Sequence, residues 1–295
     1  MPASAETALV TVRDGSGGVS RAVARALAVF VGDVLRVRRA HVEAAMARAS
    51  VAEPSRTARA MYASLGRGLV ELLGMAFTAP EKRCSPAFPW AGIDALAAEP
   101  NGAVIATAHT GSWDLVACAV AARTPLTVVT KRLSVGVLDG VWQRLRARRG
   151  LRLAEAGTAA RDVSRALGRG ELVAMLVDQA PERRRGAALV TFLGAPAWVD
   201  LAPALCAQRA RAPLAVAFPR RLADGTHTVD IVAVLRPPRC PERTWAVEAM
   251  TEVTRLLEAF VREQPEQWLW MHRRWKDAPA APDGPTPARL ARARP

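Results

Sequence analysis

From residue 103 onward the chain alternates short, continuously apolar runs with helix-length segments, and no other feature limits its fold as strongly. Residues 103–108, 126–130, 151–153, 172–177, 214–218 and 227–235 read as strands. Residues 113–121, 138–149, 162–167 and 201–210 read as the helices between them, and 244–263 as a long final helix. A strand that is apolar along its whole length, instead of on alternate residues, needs cover on both faces. The pattern therefore predicts an α/β fold, a mixed central sheet flanked by helices. With 295 residues, 51% of them hydrophobic, the chain can bury such a core, which excludes a wholly disordered polymer, a collagen-like repeat and a cysteine-stapled miniprotein.

Ahead of the alternation lies an amino-terminal helical segment. Its most apolar stretch, 23–35, is interrupted by Arg25 and Asp33. That is too short and too charged for a membrane span of about 20 residues. As an amphipathic helix followed by Arg36, Arg38 and Arg39, it either lies on an anionic bilayer or packs on its own domain. Residues 55–75 predict a second helix, capped by Ser55 and apolar along Leu65, Leu69, Leu72 and Leu73, with Pro80 and Pro86 ending the pattern. The expected organisation is a flexible arm over 1–19, one domain over 20–277 and a disordered tail over 278–295, rich in Pro, Ala and Arg. The first residues show no basic-then-apolar leader pattern.

Charge narrows the partners. Lys plus Arg number 41 against 27 Asp plus Glu, a formal +14, which favours phospholipid headgroups, nucleic acid, phosphate-bearing substrates or an acidic carrier protein. Cys84, Cys118, Cys206 and Cys240 are far apart, which argues against structural zinc and for ordinary reduced cysteines.

The segment 106–114, Ala-Thr-Ala-His-Thr-Gly-Ser-Trp-Asp, puts His109 at the carboxyl end of an apolar strand, then a small-residue turn and a helix start. Sites in open α/β sheets gather beyond such strand ends. Across the turn Asp114 can accept a hydrogen bond from one ring nitrogen of His109, leaving the other to take a proton. The structural alternative is that Asp114 caps the helix and His109 is a satisfied core histidine. His41, His227 and His272 are less well placed, and no three metal ligands fall at credible spacing, so no metal is expected. A phosphate-binding loop, a dinucleotide-binding glycine triplet and Gly-x-Ser-x-Gly are absent, and Cys118 reads as core.

Taken together, these segments resemble the bacterial lipid A late acyltransferases (lauroyl/myristoyl acyltransferase-like), within the glycerolipid acyltransferase superfamily. His109 and Asp114 match the histidine, four residues and acid of that superfamily. In the same order, residues 62–72 with Leu65-Gly66-Arg67 and Glu71, residues 131–150 with Leu138-Asp139 and Arg146, Asp178-Gln179 with Gly186 and 192–197, and the closing 268–276 run agree with the family. The similarity spans roughly 20–276. Departures are Val135 where an asparagine is usual, 180–185 reading Ala-Pro-Glu-Arg-Arg-Arg, and the lack of the membrane-spanning helix that many members carry.

The resemblance implies a glycerolipid-acyltransferase-like fold and a mechanism. His109, oriented by Asp114, deprotonates an acceptor hydroxyl that attacks a thioester carbonyl, and Arg146 serves the oxyanion or an acceptor phosphate. Lys131, Arg149, Asp178, Gln179, Arg183 and Arg184 carry over as substrate-binding residues. Asp178 would orient a sugar hydroxyl or pair with Arg146, and Arg183 to Arg185 would meet acceptor phosphates or simply aid solubility. Trp268, Trp270 and Trp275 would sit at a lipid interface or close the core, while Phe192 and Trp198 read as packing ahead of an acyl groove. No cofactor is implied. The implied partners are an acyl carrier protein thioester, ahead of acyl-CoA, an anionic lipid A precursor as acceptor, and the cytoplasmic face of the inner membrane, held peripherally. Alternatives are a lysophospholipid or another lipid hydroxyl or amine as acceptor, or a silent membrane-binding homologue. Nucleic-acid recognition is disfavoured, since no zinc finger, RNP-like strand or recognition helix accompanies the charge.

Overall fold

A computed structural model describes residues 17–131, 136–156, 159–240, 242–279 and 289–290. Val135 and most of the arm and tail lie outside these residues. The chain opens with α1 (Gly17–Val29), which runs on as a π-helical stretch over Phe30–Val34, then α2 (Arg39–Arg48), α3 (Pro54–Gly74) and α4 (Trp90–Ala97). The alternating part follows: β1 (Ala103–Thr107), α5 (Trp113–Ala121), β2 (Leu126–Thr130), α6 (Gly136–Arg148), β3 (Arg152–Glu155), α7 (Ala159–Gly168) and β4 (Leu172–Leu176). A hairpin, β5 (Ala187–Phe192) and β6 (Ala195–Asp200), leads to α8 (Ala202–Ala210), β7 (Leu214–Arg221), β8 (His227–Leu235) and α9 (Arg243–Glu263).

The main sheet is six-stranded in the order β3-β2-β4-β1-β7-β8. All its pairs are parallel except β7 with β8. Successive residues of β1 serve opposite cores. Val104 and Ala106 pack with α8 and α9 through Ala204, Ala207, Val253 and Leu257. Ala103 and Ile105 pack with α4 and α5 through Ile93, Leu96, Leu115 and Val116. Both faces are thus covered, as continuously apolar strands require.

Three elements depart from expectation. Residues 187–200, where the sequence pattern predicts no strand, form the β5–β6 hairpin with 192–197 at its heart. Its two-residue turn places Leu193 at φ +50° and Gly194 at φ +78°. Two left-handed residues give the tight turn that matches strand twist, and Leu193 N donates to Glu258 Oε2 at 2.6 Å. The α3 helix starts at Pro54 without Ser55 as cap: Glu53 holds the cap position and makes no side-chain cap bond. A proline in the first turn spares a donor that would lack a partner. Of the tail expected to be disordered, Arg289–Leu290 forms a two-residue strand, β9, antiparallel to β5.

The amino-terminal segment packs on its own domain. Buried Ala24 and Ala28 pack α1 on α3, and a Cβ on Gly66 would fall 2.5 Å from the carbonyl oxygen of Ala24. Val29, Phe30, Val34 and Leu35 nevertheless stay exposed. Among the described residues no helix is long and apolar enough to cross a membrane. Gly66→Ala should overpack the α1–α3 contact and cost about 1–3 kcal/mol, read as a lower urea midpoint at unchanged slope.

Candidate functional site

The parallel register of β1 and β4 builds the site. Thr107 pairs with Leu176, and Val177 N donates to Thr107 O at 2.9 Å. Two residues beyond that rung, His109 and Asp178 therefore leave adjacent strand ends side by side. His109 Nδ1 lies 2.9 Å from Asp178 Oδ1, and the His109 backbone N–H donates to Oδ2 at 3.1 Å. Trp268 Nε1 donates to the same Oδ2 at 3.0 Å. Asp178 is fully buried. Burial opposes its charge, but the charge of His109 and the hydrogen bonds it makes outweigh burial and hold the carboxyl well below the usual carboxylate range. An ionised Asp178 accepts from Nδ1–H and leaves Nε2 as the basic nitrogen.

Asp114 is not the partner of His109, contrary to the expectation from spacing. After the turn at Gly111, φ +52°, where a Cβ would meet Pro219 O at 2.8 Å, the chain enters α5 and carries Asp114 to α6. There Arg146 donates its Nε to Asp114 Oδ1 at 2.8 Å and its Nη2 to the same oxygen, while Trp142 Nε1 donates to Oδ2 at 3.1 Å. Both members of the ion pair are buried. Burial raises the Asp114 carboxyl, against which the Arg146 charge works. Arg146 also reaches Thr130 Oγ1 and Gln143 Oε1 through Nη1, at 3.4 and 3.3 Å, so each of its nitrogens has a protein partner. Asp178 likewise pairs with His109 and Trp268, not with Arg146.

His109 borders a cleft of about 720 Å³ whose wall includes Arg38, Lys131, Arg146, Gln179 and His272. Val129, Met175, Val177 and Leu269 give it an apolar side. Trp113 stands edge-on to His109 with ring centroids 5.1 Å apart. Lys131 reaches Glu182 Oε1 at 3.0 Å. Arg149, expected at the substrate, lies outside this wall and donates its Nε to Met75 O at 2.7 Å and its Nη2 to Thr78 O at 3.2 Å, tying α6 to the end of α3. Arg183 is exposed outside the cleft. Arg184 donates to Pro181 O and Lys276 O and stacks over Trp198, 5.0 Å from its ring centre. Trp268, Trp270 and Phe192 are buried and close the core, with Trp275 against Phe192. Cys118 is buried too, its thiol pushed up to about 12 by that burial.

Sequence reasoning passed over His272, Arg38 and the indole of Trp268. The closing run is hydrogen-bonded to the turn that carries His109: Leu269 N donates to His109 O at 3.0 Å, and Gly111 N to Gln267 O at 2.9 Å. The His109 and His272 ring centroids are 4.8 Å apart. The signal was the composition of 268–276, which carries tryptophan, histidine and arginine together, but nothing local shows which strand end it meets.

Residues 18–277 match the family described as bacterial lipid A biosynthesis acyltransferase, and the chain belongs to that family. It is thus an acyltransferase of lipid metabolism. Among curated proteins nothing matches it. No group of three or more His, Cys, Asp or Glu among the described residues could hold a metal ion.

Two outcomes follow for stability. Asp114→Ala leaves the buried Arg146 guanidinium without its carboxylate and should cost about 3–5 kcal/mol in a denaturant titration. Burial and the neighbouring His109 lower His272 from 6.5 to about 4. The unfolded chain therefore takes up the proton first as pH falls, and stability should drop between about pH 6.5 and 4. His272→Asn should flatten that part of the stability profile relative to wild type.

Proposed function

We propose that the protein moves a fatty acyl group from an acyl carrier protein thioester to a hydroxyl of a lipid A precursor or related anionic glycolipid, working as a peripheral protein on the cytoplasmic face of the inner membrane. The observation that carries this reading is the His109–Asp178 pair, 2.9 Å apart, on a cleft with one apolar and one cationic side. His109 Nε2 takes the proton of the acceptor hydroxyl as its oxygen attacks the thioester carbonyl. The tetrahedral intermediate then expels the thiolate, which receives that proton from His109. Asp178 keeps the ring in the tautomer this needs and stabilises the imidazolium between the two steps.

Asp114 and Arg146 act together as a brace. Their ion pair joins α5 to α6, and so fixes the helix that follows His109. Lys131 and Arg38 supply positive charge at the cleft for phosphate groups of donor or acceptor, and Gln179 contributes an amide there. Arg183, on the exposed loop before the hairpin, suits an anionic partner approaching from outside. Exposed Phe30, Val34 and Leu35 beside Arg25 and Arg36 support a resting place on anionic lipid.

The test is transfer of labelled acyl groups from acyl carrier protein to a lipid extract of the source bacterium, with products weighed by mass spectrometry. Wild type should yield an acylated anionic glycolipid, and His109→Ala none. Asp178→Asn should lose about 10²–10⁴-fold in rate with the fold intact. A product of lysophospholipid mass would reassign the acceptor, and an Asp178→Asn enzyme as fast as wild type would remove Asp178 from the mechanism.

A further inference from the structure

Asp178 and Gln179 are consecutive, and each fixes one imidazole. Asp178 takes the Nδ1 hydrogen of His109, so that ring offers an acceptor at Nε2. Gln179 Nε2 lies 3.2 Å from His272 Nε2 and donates to it, so that ring carries its proton on Nδ1. Both rings border the same cleft, their centroids 4.8 Å apart. One loop thus sets a hydrogen-bond acceptor beside a hydrogen-bond donor. We infer that His272 is a second catalytic residue, whose Nδ1–H binds the thioester carbonyl oxygen and stabilises the oxyanion formed when the acceptor attacks. The inference rests on the acyl transfer proposed above and adds a role to it.

Acyl transfer needs such a donor. As the acceptor oxygen bonds to the carbonyl carbon, the C=O electron pair moves to oxygen, and the hydroxyl proton goes to His109 Nε2. Collapse restores C=O, breaks the C–S bond and returns the proton to the thiolate. The arginine assigned this task from the resemblance is already engaged: Arg146 gives its nitrogens to Asp114, Thr130 and Gln143. A donor fixed before reaction costs no reorganisation when charge develops.

His272 suits the role in two further respects. First, it remains neutral. Burial and the adjacent His109 hold its pKa near 4, so the two rings do not compete for protons when His109 becomes an imidazolium. A neutral imidazole of this kind is a hydrogen-bond electrophile. Second, its backbone is pinned from the amino-terminal segment. Arg38 Nη1 donates to Met271 O at 2.7 Å, and His41 Nε2 lies 3.3 Å from His272 O.

Steady-state kinetics with purified acyl carrier protein donor test the assignment on His272→Ala and His272→Asn, since the asparagine amide can present an N–H close to where Nδ1 stood. His272→Ala should lower kcat about 10²–10³-fold with donor KM within about threefold. His272→Asn should recover at least about tenfold of that loss at a similar unfolding midpoint. Retention of kcat by the alanine variant, or a folded asparagine variant no faster than alanine, overturns the role of His272 while leaving the transfer reaction standing. Wild-type protein that transfers no acyl group overturns both readings together.

Discussion

A single buried carboxylate organises this molecule. Asp178 has no contact with water, and an ionised carboxylate there persists only if the protein supplies the hydrogen bonds that water would give. Those bonds come from two places far apart in sequence: the turn after β1, through the His109 ring and backbone, and the closing run, through the Trp268 indole. Satisfying one charge therefore forces the carboxyl ends of β1 and β4 and the segment after α9 to meet at one point. Buried Arg274 tightens the same junction, since its Nη1 lies 3.5 Å from Gln179 O and also donates to Trp198 O. Burial lowers the guanidinium to about 10 while Asp178 works to raise it.

Other buried ion pairs repeat this logic farther out. Asp114 with Arg146 locks α5 to α6. Glu71 with Arg221 locks α3 to β7, with Nη2 2.6 Å from Oε2 and Ser64 Oγ 2.9 Å from Nη1. Burial would raise the Glu71 carboxyl, but His227 and Arg221 together hold it at about 2. The backbone of Arg221 is bonded in turn by the Gln267 side chain, and the backbone carbonyl of Gln267 accepts from Gly111 N. The helical amino-terminal segment is thus tied to the turn that presents His109, instead of hanging from the sheet as a separate appendage. Breaking such pairs one-sidedly is costly because the survivor stays buried.

Most of the sheet was legible because its signal is local: a strand covered on both faces must be apolar, and the four inner strands β1, β2, β4 and β7 fall on such runs, while the edge strands β3 and β8 carry polar residues and are partly exposed. The hairpin was not legible, since its turn uses leucine in a left-handed conformation where asparagine would have announced it, and Leu193 is held there by Glu258 from α9. The same distinction explains the site. His109 could be found because strand end, turn and helix start are contiguous. Its partner could not be found from spacing, because five residues of sequence carry Asp114 onto a helix, whereas the nearest carboxylate belongs to a strand that follows much later in the chain. Arg149 shows the converse: a residue in the right segment whose guanidinium is spent on the carbonyls of Met75 and Thr78.

The His109–Asp178 geometry is therefore a property of the β1–β4 ladder and not of the covalent stretch between the two residues. What joins them along the chain, α5 through α7 with β2 and β3, supports that ladder from the side, β2 by pairing with the other edge of β4. The order of connection is in that sense interchangeable: a chain severed in the loop between α5 and β2, and reassembled from its two pieces, would recover the pair as long as the two strands found their register. An inserted residue between Thr107 and His109, by contrast, would turn the imidazole away from the carboxylate while leaving every helix in place.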